Sequence, residues 1–463
     1  MKQENMIFLK GPPGRKHELF LTFDQMDTYK IKQMEIIELQ FGLKRIEVRV
    51  IQRHRWQKPE ESTIYCTADV LEALQIPEDR LLPIYYSSAK GKLQIGPLVG
   101  ILAHVRYKPA SGVYGEQEPA FRKLLDAAND LGMMGYVFSP LEIEWATDMT
   151  WAYQYIAAKE GEGQWRRLKL PLPDVVYDQI STRKFETRAN VQAASKRLQK
   201  LMQKRFFNQG FFNKWQVHQW LTGDAATSKY VPDSVRYENP AATDALLNRY
   251  GNLYLKPIHG SLGIGIIKLT RLADGRIYYQ LKQRKKTVQG YAKGTAQALQ
   301  ILKKRQRNHL IVQQGLNLLA YQGRPFDIRV LMQKDGEGKW SRTKMFVRIA
   351  KQGEITSNLT TGGDARPIRE TLQEMFRDQG KVSQILKDIR SCIKVVPLAI
   401  EQQAEISLGE LGLDLGIDTN GKLWVIEANA KPWKKTETEH GSLAVVERSF
   451  HRPMEYARFL AFS

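Results

Sequence analysis

The sequence predicts a multidomain protein of mixed α/β and α+β architecture. Its 463 residues exceed the usual domain size of about 100–200 residues. Hydrophobic residues (42%) and charged residues (26%) are close to globular averages, which excludes extended disorder. Strand-like segments fill the first part of the chain, and strands alternate with helices in the rest. We therefore predict a small β domain followed by two domains that combine helices with sheets.

Residues 1–95 predict the small, mainly β domain. IEVRVIQ (46–52) alternates apolar and polar side chains as a half-buried strand does. STIYCTADVLEALQI predicts a strand and then a short helix, and YYSSAKGKLQI predicts a hairpin around Lys90-Gly91. No ligand-binding motif occurs in this region.

Residues 96–205 predict a small doubly wound domain that ends in a basic linker. PLVGILAHV is a continuous apolar run, typical of a strand buried on both faces. An amphipathic helix ending at Gly132 follows, then the strand MGYVFSP and a further buried strand in WRRLKLPLPDVVYDQI. Strand, helix and strand in this order predict a parallel sheet. The polar, basic segment 190–206 predicts a solvated helix face between domains.

The charge balance favours polyanionic partners. Lys and Arg (70) exceed Asp and Glu (49), which gives a net charge of +21. Such an excess suits nucleic acid, an anionic polymer, a membrane surface or a phosphate ligand, and it does not choose among them. Two basic stretches, 282–286 and 303–307, are not accompanied by a helix-turn-helix, zinc-finger or RNP motif. Nucleic acid is therefore not the expected partner.

Cysteine usage and hydropathy predict a soluble, cytoplasmic protein. Cys66 and Cys392 are too few for a disulfide scaffold or a thiolate zinc site, which favours two reduced thiols. The N-terminal segment lacks the apolar core of a secretory signal. No window approaches about 18 uninterrupted apolar residues, so we expect no membrane insertion.

The first chemical motif is NLYLKPIHGSLGIGIIKL (252–269). A strand leads to Lys256, a loop contains Gly260, Ser261, Gly263 and Gly265, and a second strand follows at once. Glycines let backbone N–H groups approach phosphate oxygens, and the lysine adds positive charge. Because no helix follows the loop, this is neither a Walker loop nor a dinucleotide fingerprint. It predicts a flap over phosphates, with a hairpin that binds nothing as the alternative.

The second motif is LGLDLGIDTNGKLWVIEANAKPW (411–433), which predicts two strands joined by a tight turn. Glu427 and Asn429 are two residues apart on one strand and therefore point to one face. Hairpin pairing can bring Asp414 opposite them. Oxygen ligands of this kind suit Mg²⁺. An ordinary hairpin with polar residues outward is the alternative.

Three further segments carry candidate residues. LIVQQ is a strand that breaks at Gly315, which frees backbone groups able to read an adenine edge. A later strand carries Arg348 and leads into a polar loop with Asn358, where a cation and an amide can stabilise a transferring phosphoryl group. Asn213 predicts a helix N-cap that places Lys214 in the first turn. Taken singly, Arg348 suits a surface salt bridge and Lys214 a solvated lysine.

In order and spacing, these segments resemble the ATP-grasp superfamily over about 206–435. NKWQVHQWL looks like the helix that opens such domains, LYLKP…GSLGIG like the strand lysine and phosphate flap, VQQGL like the hinge and GRPFDIRV like the strand after it. SNLTTGG is similar to the S-N-x-x-x-G-G loop of ribosomal-protein glutamate ligases, and GLDLGID…WVIEANAKP to the closing metal strands. The resemblance implies a pre-ATP-grasp domain at 96–205 and an ATP-grasp domain at 206–463, divided into a nucleotide flap (206–313) and a metal-binding half (314–463).

The resemblance also implies the site residues. Lys214 and Lys256 would contact nucleotide phosphates, and the loop from Gly260 to Gly265, with Ser261 and Gly263, would cover them. Adenine would be held by Gln313, Gln314, Gly315 and Leu316. The hinge carries glutamines where many members have a glutamate, which favours contacts through the backbone. Asp327 would touch the ribose, although the spacing from hinge to strand is longer than in the superfamily. Mg²⁺ would be bound by Asp414, Glu427 and Asn429, and Arg348 and Asn358 would face the reacting phosphate.

A closer resemblance is to the endospore coat-associated YheC/YheD family, in its longer YheD-like form. Residues 356–363 fit the family's T-S-N-L-T-x-G-G loop, and the family combines an N-terminal β domain, a small α/β domain and an ATP-grasp domain. The resemblance implies a mother-cell, forespore or spore-coat location and spore-coat components or anionic spore polymers as partners.

Two functions follow as expectations. The first is an ATP- and Mg²⁺-dependent ligase that joins a carboxylate to an amine or thiol through an acyl phosphate, with both substrates unidentified. The second is a structural or assembly protein of the spore coat that binds ATP without catalysis. Complete phosphate and metal motifs favour the first.

Overall fold

A computed structural model gives the fold of the chain. It describes residues 2–12, 14–53, 62–77, 81–87, 91–156, 163–260, 263–284, 286–303, 309–352, 364–437 and 442–463. No helix within these ranges is both long and apolar enough to cross a membrane.

The first part of the chain folds into a closed barrel of seven strands with two short helices. Its elements are β1 (Lys2–Lys10), β2 (Glu18–Leu21), α1 (Phe23–Tyr29), β3 (Ile36–Phe41), β4 (Lys44–Gln52), β5 (Thr63–Cys66), α2 (Ala68–Leu74), β6 (Leu81–Ser87) and β7 (Lys92–Ile95). The strand order is β1-β5-β2-β4-β3-β7-β6, and pairing of β1 with β6 closes the barrel. The predicted strand at 46–52, the strand–helix unit and the hairpin are confirmed, although Lys90 of the hairpin turn lies outside the described residues.

A six-stranded sheet, here called the middle sheet, follows the barrel. The elements of this region are β8 (Leu98–Leu102), β9 (Tyr107–Lys108), β10 (Gly112–Val113), α3 (Glu118–Asp130), β11 (Met134–Glu144), β12 (Met149–Ile156), β13 (Gln164–Pro171), β14 (Val175–Asp178), α4 (Arg183–Glu186), α5 (Ala189–Met202) and β15 (Phe206–Phe207). The sheet order is β13-β12-β11-β8-β14-β15, and β9 and β10 form a separate ribbon.

The middle sheet confirms the predicted parallel unit and corrects its surroundings. β8 is parallel to both β11 and β14, as the strand–helix–strand pattern predicted. The doubly wound prediction is wrong for one half of the sheet, because β12 and β13 extend it as an antiparallel meander. The predicted basic linker is helix α5, whose apolar face, with Val191 and Leu198, is fully buried.

The barrel and the middle sheet share one hydrophobic core. Phe8 and Leu39 of the barrel belong to the same buried cluster as Tyr136 and Phe138 of β11. A Cβ atom on Gly42 would lie 2.3 Å from the carbonyl oxygen of Leu172, so glycine allows the two backbones to meet. The first two predicted domains therefore form a single packed unit.

The second half of the chain begins with a helix and an antiparallel sheet, here called the flap sheet. Its elements are α6 (Lys214–Thr222), β16 (Ser234–Arg236), α7 (Pro240–Tyr250), β17 (Asn252–Pro257), β18 (Ile267–Arg271), β19 (Ile277–Lys282), β20 (Thr287–Ala292), α8 (Thr295–Lys303) and β21 (Leu310–Gln314). The strand order is β16-β21-β17-β18-β19-β20. Residues of α7 and α8 pack with the strands in a core of their own, which includes Leu247, Leu255 and Leu302.

A second sheet, here called the acidic sheet, completes this half. Its elements are β22 (Ala320–Tyr321), β23 (Arg324–Lys334), β24 (Trp340–Ile349), β25 (Asp364–Arg366), α9 (Ile368–Met375), α10 (Gln379–Ala404), β26 (Glu410–Ile417), β27 (Leu423–Asn429) and α11 (Leu443–Phe462). The order is β25-β24-β23-β26-β27, with β22 beside β23. Apolar side chains such as Val330, Val347 and Leu413 pack against α10 and α6. The opposite face carries the charged residues described below.

The C-terminal helix α11 returns to the middle sheet. Phe450, Met454 and Ala457 lie in one buried cluster with Val99 of β8 and Phe121 of α3. The same helix also contacts the acidic sheet, where the Gln333 side chain donates to the carbonyl oxygen of Ser449, so α11 packs against both sheets.

Candidate active site

Lys214 lies between the flap sheet and the acidic sheet. Asn213 caps α6 and forms a capping box with Gln216, as the sequence predicted for this N-cap, so Lys214 occupies the first helical position. Its Nζ atom donates to the carbonyl oxygen of Gly260, at 2.8 Å, and to Oε1 of Glu427, also at 2.8 Å. One ammonium group thus connects the flap loop to the acidic sheet.

Lys256 lies on β17 and faces the same cleft. Its Nζ donates to Oε1 of Gln313 on the neighbouring strand β21. Burial, reinforced by the charge of Lys214 and opposed by that of Glu427, lowers the pKa of Lys256 to about 8. A buried cation beside a second cation is stabilised by an anion, so the cleft favours a negatively charged ligand.

The hinge predicted to hold adenine lies at the end of β21. The N–H groups of Gln314 and Gly315 donate to the carbonyl oxygens of Asp233 and Asn252, and the Gln313 side chain contacts Lys256. A Cβ atom on Gly315 would overlap the Asn252 side chain, which explains the glycine. The Gln313 amide therefore holds a lysine in place, and the roles of Gln313, Gln314, Gly315 and Leu316 toward adenine stay predictions.

The flap loop joins two antiparallel strands, β17 and β18, as predicted. Gly263 and Gly265 have φ angles of +71° and +81°, which favour glycine. The N–H of Gly265 donates to the carbonyl oxygen of Lys282 and that of Gly260 to the carbonyl oxygen of Pro257, so these two amides are used inside the chain. Ser261 lies outside the described residues.

The charged face of the acidic sheet is arranged in rows across the strands. Asp414 of β26 lies opposite Glu427 of β27, and the next row on β27 holds Asn429. Since Glu427 and Asn429 are two residues apart, they share the face. The hairpin that the sequence predicted here is present, and it brings Asp414 opposite Glu427 after a one-residue register shift between this pair and Leu415–Val425.

Two arginines hold Asp414. Arg329 Nη1 donates to Asp414 Oδ1 at 2.8 Å, and Arg348 Nη2 lies 2.9 Å from Asp414 Oδ2. Burial alone would raise the pKa of Asp414, but the two guanidinium groups outweigh it and hold the pKa below its usual value. Asp414 is therefore a carboxylate at neutral pH.

Asp327 and Arg348 form a two-point ion pair. Arg348 Nε and Nη2 donate to the two oxygens of Asp327, at 2.6 and 2.7 Å. Coulomb attraction to Asp414 and Asp327 raises the pKa of Arg348 although burial opposes it. Asp327 thus fixes the orientation of Arg348, and its predicted contact with a ribose stays a prediction. Asn358 lies outside the described residues.

The donor set of this face fits Mg²⁺ with an incomplete shell. Within the described residues, no three His, Cys, Asp or Glu side chains converge as metal ligands, and the set consists of two carboxylates and one amide. Mg²⁺ prefers oxygen ligands and commonly takes one or two carboxylates together with water and substrate phosphates. Asp414, Glu427 and Asn429 would hold the ion, and phosphate oxygens would complete its coordination.

Three residues of the site were not identified from the sequence. Arg329 shares a strand face with Asp327, two residues away, which was the available signal. Lys431 Nζ lies 2.7 Å from Asp178 Oδ1, and Lys434 Nζ lies 2.7 Å from Glu410 Oε2. Both lysines follow β27. Lys431 attaches this segment to Asp178 of the middle sheet, whereas Glu410 belongs to β26 of the acidic sheet itself, and Lys434 reaches the middle sheet by donating to the hydroxyl of Tyr177, at 3.2 Å.

Comparisons with known proteins identify a family. The family of YheC/D-like ATP-grasp domains matches residues 203–460. The endospore coat-associated protein YheD of Bacillus subtilis (strain 168) is 30% identical over 433 residues, which cover 93% of this chain and 92% of that protein. YheC of the same organism is 26% identical over 318 residues, covering 68% and 85%.

Solved structures also resemble the chain. D-cycloserine synthetase DcsG is 13% identical with a TM-score of 0.43, covering 77% of this chain and 99% of that one. The VanG D-Ala:D-Ser ligase from Enterococcus faecalis is 10% identical with a TM-score of 0.42, covering 79% and 99%.

Proposed function

The chain belongs to the family of YheC/D-like ATP-grasp proteins, and from this membership we propose that it is an ATP- and Mg²⁺-dependent ligase. It would join a carboxylate to an amine or a thiol through an acyl phosphate. The observation that carries the proposal is the shared cleft, in which Lys214 and Lys256 lie beside Glu427. Its lining thus combines two cations suited to phosphates with one carboxylate suited to a divalent ion, and Asp414 lies opposite that carboxylate on the neighbouring strand.

The proposed reaction has two balanced steps. In the first, a carboxylate oxygen of one substrate forms a bond to the terminal phosphorus of ATP, and the bond to the bridging oxygen of ADP breaks. In the second, the amine or thiol attacks the acyl carbon, phosphate leaves with the carboxylate oxygen, and the proton of the nucleophile passes to solvent or a base. Both steps need stabilisation of negative charge on the moving phosphoryl group.

Residues of the cleft and of the adjoining charged face of the acidic sheet would supply this stabilisation. Lys214 and Lys256 would bind phosphate oxygens as point charges. Arg348, fixed by Asp327 and Asp414, presents a preorganised cation to the reacting group, which lowers the cost of reorganisation. A bound Mg²⁺ would neutralise charge on the phosphates.

A ligase of this kind should release ADP only when both substrates are present, and the first step of the test is to find those substrates. Extracts of sporulating cells incubated with the protein and Mg-ATP would be searched by mass spectrometry for an ATP-dependent mass gain equal to one condensed amine. We expect such a product with the wild type and none with Glu427→Gln. Binding of Mg-ATP without any ATP-dependent product would contradict the ligase and favour an assembly protein that keeps the nucleotide.

Location at the endospore coat is the second part of the proposal. It is supported by the names of the two relatives, which describe them as endospore coat-associated. The net charge of +21 suits retention on anionic spore material. Immunogold labelling of spores tests this location. We expect label over the coat, and label confined to the cell interior would contradict the proposal.

A further inference from the structure

A second cationic site lies on the charged face of the acidic sheet, beyond the residues assigned to the nucleotide and metal. Side chains that point to this face of β24 are Arg348, Phe346 and Lys344, because they alternate along one strand. Same-face neighbours on a strand are about 7 Å apart, which places the backbone of Lys344 about 14 Å from that of Arg348. The site is thus two rows from the reacting centre.

The row of paired residues that contains Lys344 also contains Gly412, over which lies the segment that follows β27. Lys344 pairs with Leu331, Leu331 with Gly412 and Gly412 with Asn429. A Cβ atom on Gly412 would lie 2.9 Å from Cβ of Pro432. The absence of a side chain at Gly412 therefore lets the segment 431–435 lie directly on the sheet.

Both ends of this segment are anchored. Lys431 contacts Asp178, and Lys434 contacts the fully buried Glu410, so the backbone between and beside them is held in place. Lys435 follows directly and is exposed, and Trp433 is 65% exposed. The anchors on either side of Pro432 and Trp433 preorganise the backbone from which Lys435 extends.

Lys344 and Lys435 are near enough for their charges to interact. Burial and the charge of Lys435 lower the pKa of Lys344. In the ranges that the structure describes, neither lysine forms an ion pair, and Lys344 lies over the ring of Phe346, at 5.1 Å from its centroid. Two like charges at a partly buried position repel each other, and an anionic ligand would relieve this repulsion.

We propose that Lys344 and Lys435 bind the acidic side chains of a peptide acceptor whose reacting end lies at Arg348. The inference rests on the proposed ligase function and names its substrate class. A free amino acid is too short to reach from Arg348 to the two lysines. A peptide strand advances about 3.3 Å per residue and covers about 14 Å with about four residues. Two lysines beside Leu331 and Phe346 suit a short acidic peptide better than nucleic acid, which would need a longer stripe of cations.

The binding test uses a tetraglutamate peptide with a free amino end and a C-terminal fluorescein. Its fluorescence anisotropy would be measured with the full-length protein, Mg²⁺ and a non-hydrolysable ATP analogue at constant ionic strength. We expect the wild type to bind tetraglutamate at least about tenfold more tightly than tetraglutamine, and Lys344→Gln with Lys435→Gln to remove this preference. The matched control is Lys387→Gln, an exposed lysine on α10 behind the sheet, which should keep it.

Calorimetric titration with Mg-ATP separates the two hypotheses. If the wild type does not bind Mg-ATP, the proposed ligase function itself is contradicted. Normal nucleotide binding with equal affinities for tetraglutamate and tetraglutamine, or with a preference unchanged in the double variant, would overturn the acceptor site alone. Tighter binding of a tetrathymidylate or of inorganic triphosphate through the same lysines would overturn the peptide assignment.

Discussion

Glu427→Gln is the substitution that tests the cleft most directly. The glutamine has the same size and can still accept from Lys214 through its amide oxygen. It removes one negative charge from the face that would hold Mg²⁺. The replacement therefore separates the charge of Glu427 from its packing.

The expected loss is large in turnover and small in stability. The Lys214–Glu427 pair is 2.8 Å long, but its side chains are 18% and 33% exposed, and such pairs contribute about 1 kcal/mol or less. The midpoint temperature of thermal unfolding should therefore fall by only a few degrees. Loss of a carboxylate that neutralises Mg²⁺ beside the phosphates should lower turnover at least about a hundredfold, which corresponds to about 2.7 kcal/mol of transition-state stabilisation.

The direction in which ATP affinity changes, with and without Mg²⁺, tests the role of Glu427 more strictly than turnover does. Glu427 opposes the lowering of the Lys256 pKa, and its charge repels phosphates when no metal is present. With EDTA, ATP should bind Glu427→Gln at least as tightly as the wild type, whereas added Mg²⁺ should strengthen binding only in the wild type. Titration calorimetry with and without Mg²⁺ measures both, and Glu370→Gln on the exposed surface of α9 is the control. Undiminished turnover, or an unchanged gain from Mg²⁺, would refute the role assigned to Glu427.

Three further outcomes are expected. ATP affinity should fall as pH rises through about 8, because the ammonium of Lys256 must be protonated to hold phosphate; calorimetry in buffers of different ionisation enthalpy should detect proton uptake. Lys434→Met should lower the free energy of unfolding by about 3–5 kcal/mol in urea titrations, since it leaves the carboxylate of Glu410 buried without a cation, and a loss below about 1 kcal/mol would contradict this. Gly315→Ala should cost about 1–3 kcal/mol through overlap with its neighbouring strand, whereas Gly336→Ala, whose Cβ would meet only Cβ of Glu455 at 3.8 Å, should be near neutral in the same assay.

Local patterns explain which parts of the site the sequence predicts. Asn213 and Gln216 satisfy each other's backbone groups within one turn, so the start of α6 depends on four consecutive positions. Glu427 and Asn429 share a face because strand side chains alternate. The turn brings their strand back beside β26, and a one-residue register shift, which alternation does not reveal, places Glu427 opposite Asp414. Each inference needs only residues that are close in the chain.

Long-range pairings explain what the sequence does not predict. Arg329 holds Asp414 across 85 positions, because β23 lies between β24 and β26. Alternation shows that Arg329 is on a face, but it contains no information about which strand is the neighbour. The sequence does not show where α11 packs for the same reason. An amphipathic pattern shows that one face of a helix is buried, but it does not show which domain covers that face.

The distribution of contacts indicates which part moves when the cleft admits a nucleotide. Its enclosed volume is about 40 Å³, enough for a few water molecules and too small for a triphosphate. The acidic sheet is attached to the middle sheet by the buried ion pair of Lys431 with Asp178 and by the hydroxyl of Tyr177, which donates to Glu410 and accepts from Lys434. The flap sheet has a separate core and reaches Glu427 through the partly exposed Lys214. Buried ion pairs cost more to break than partly exposed ones. Opening of the cleft should therefore displace the flap sheet and leave β27 attached to the middle sheet. A nucleotide that binds Lys214 through its phosphates would replace the Glu427 contact and compensate for the bond broken on opening.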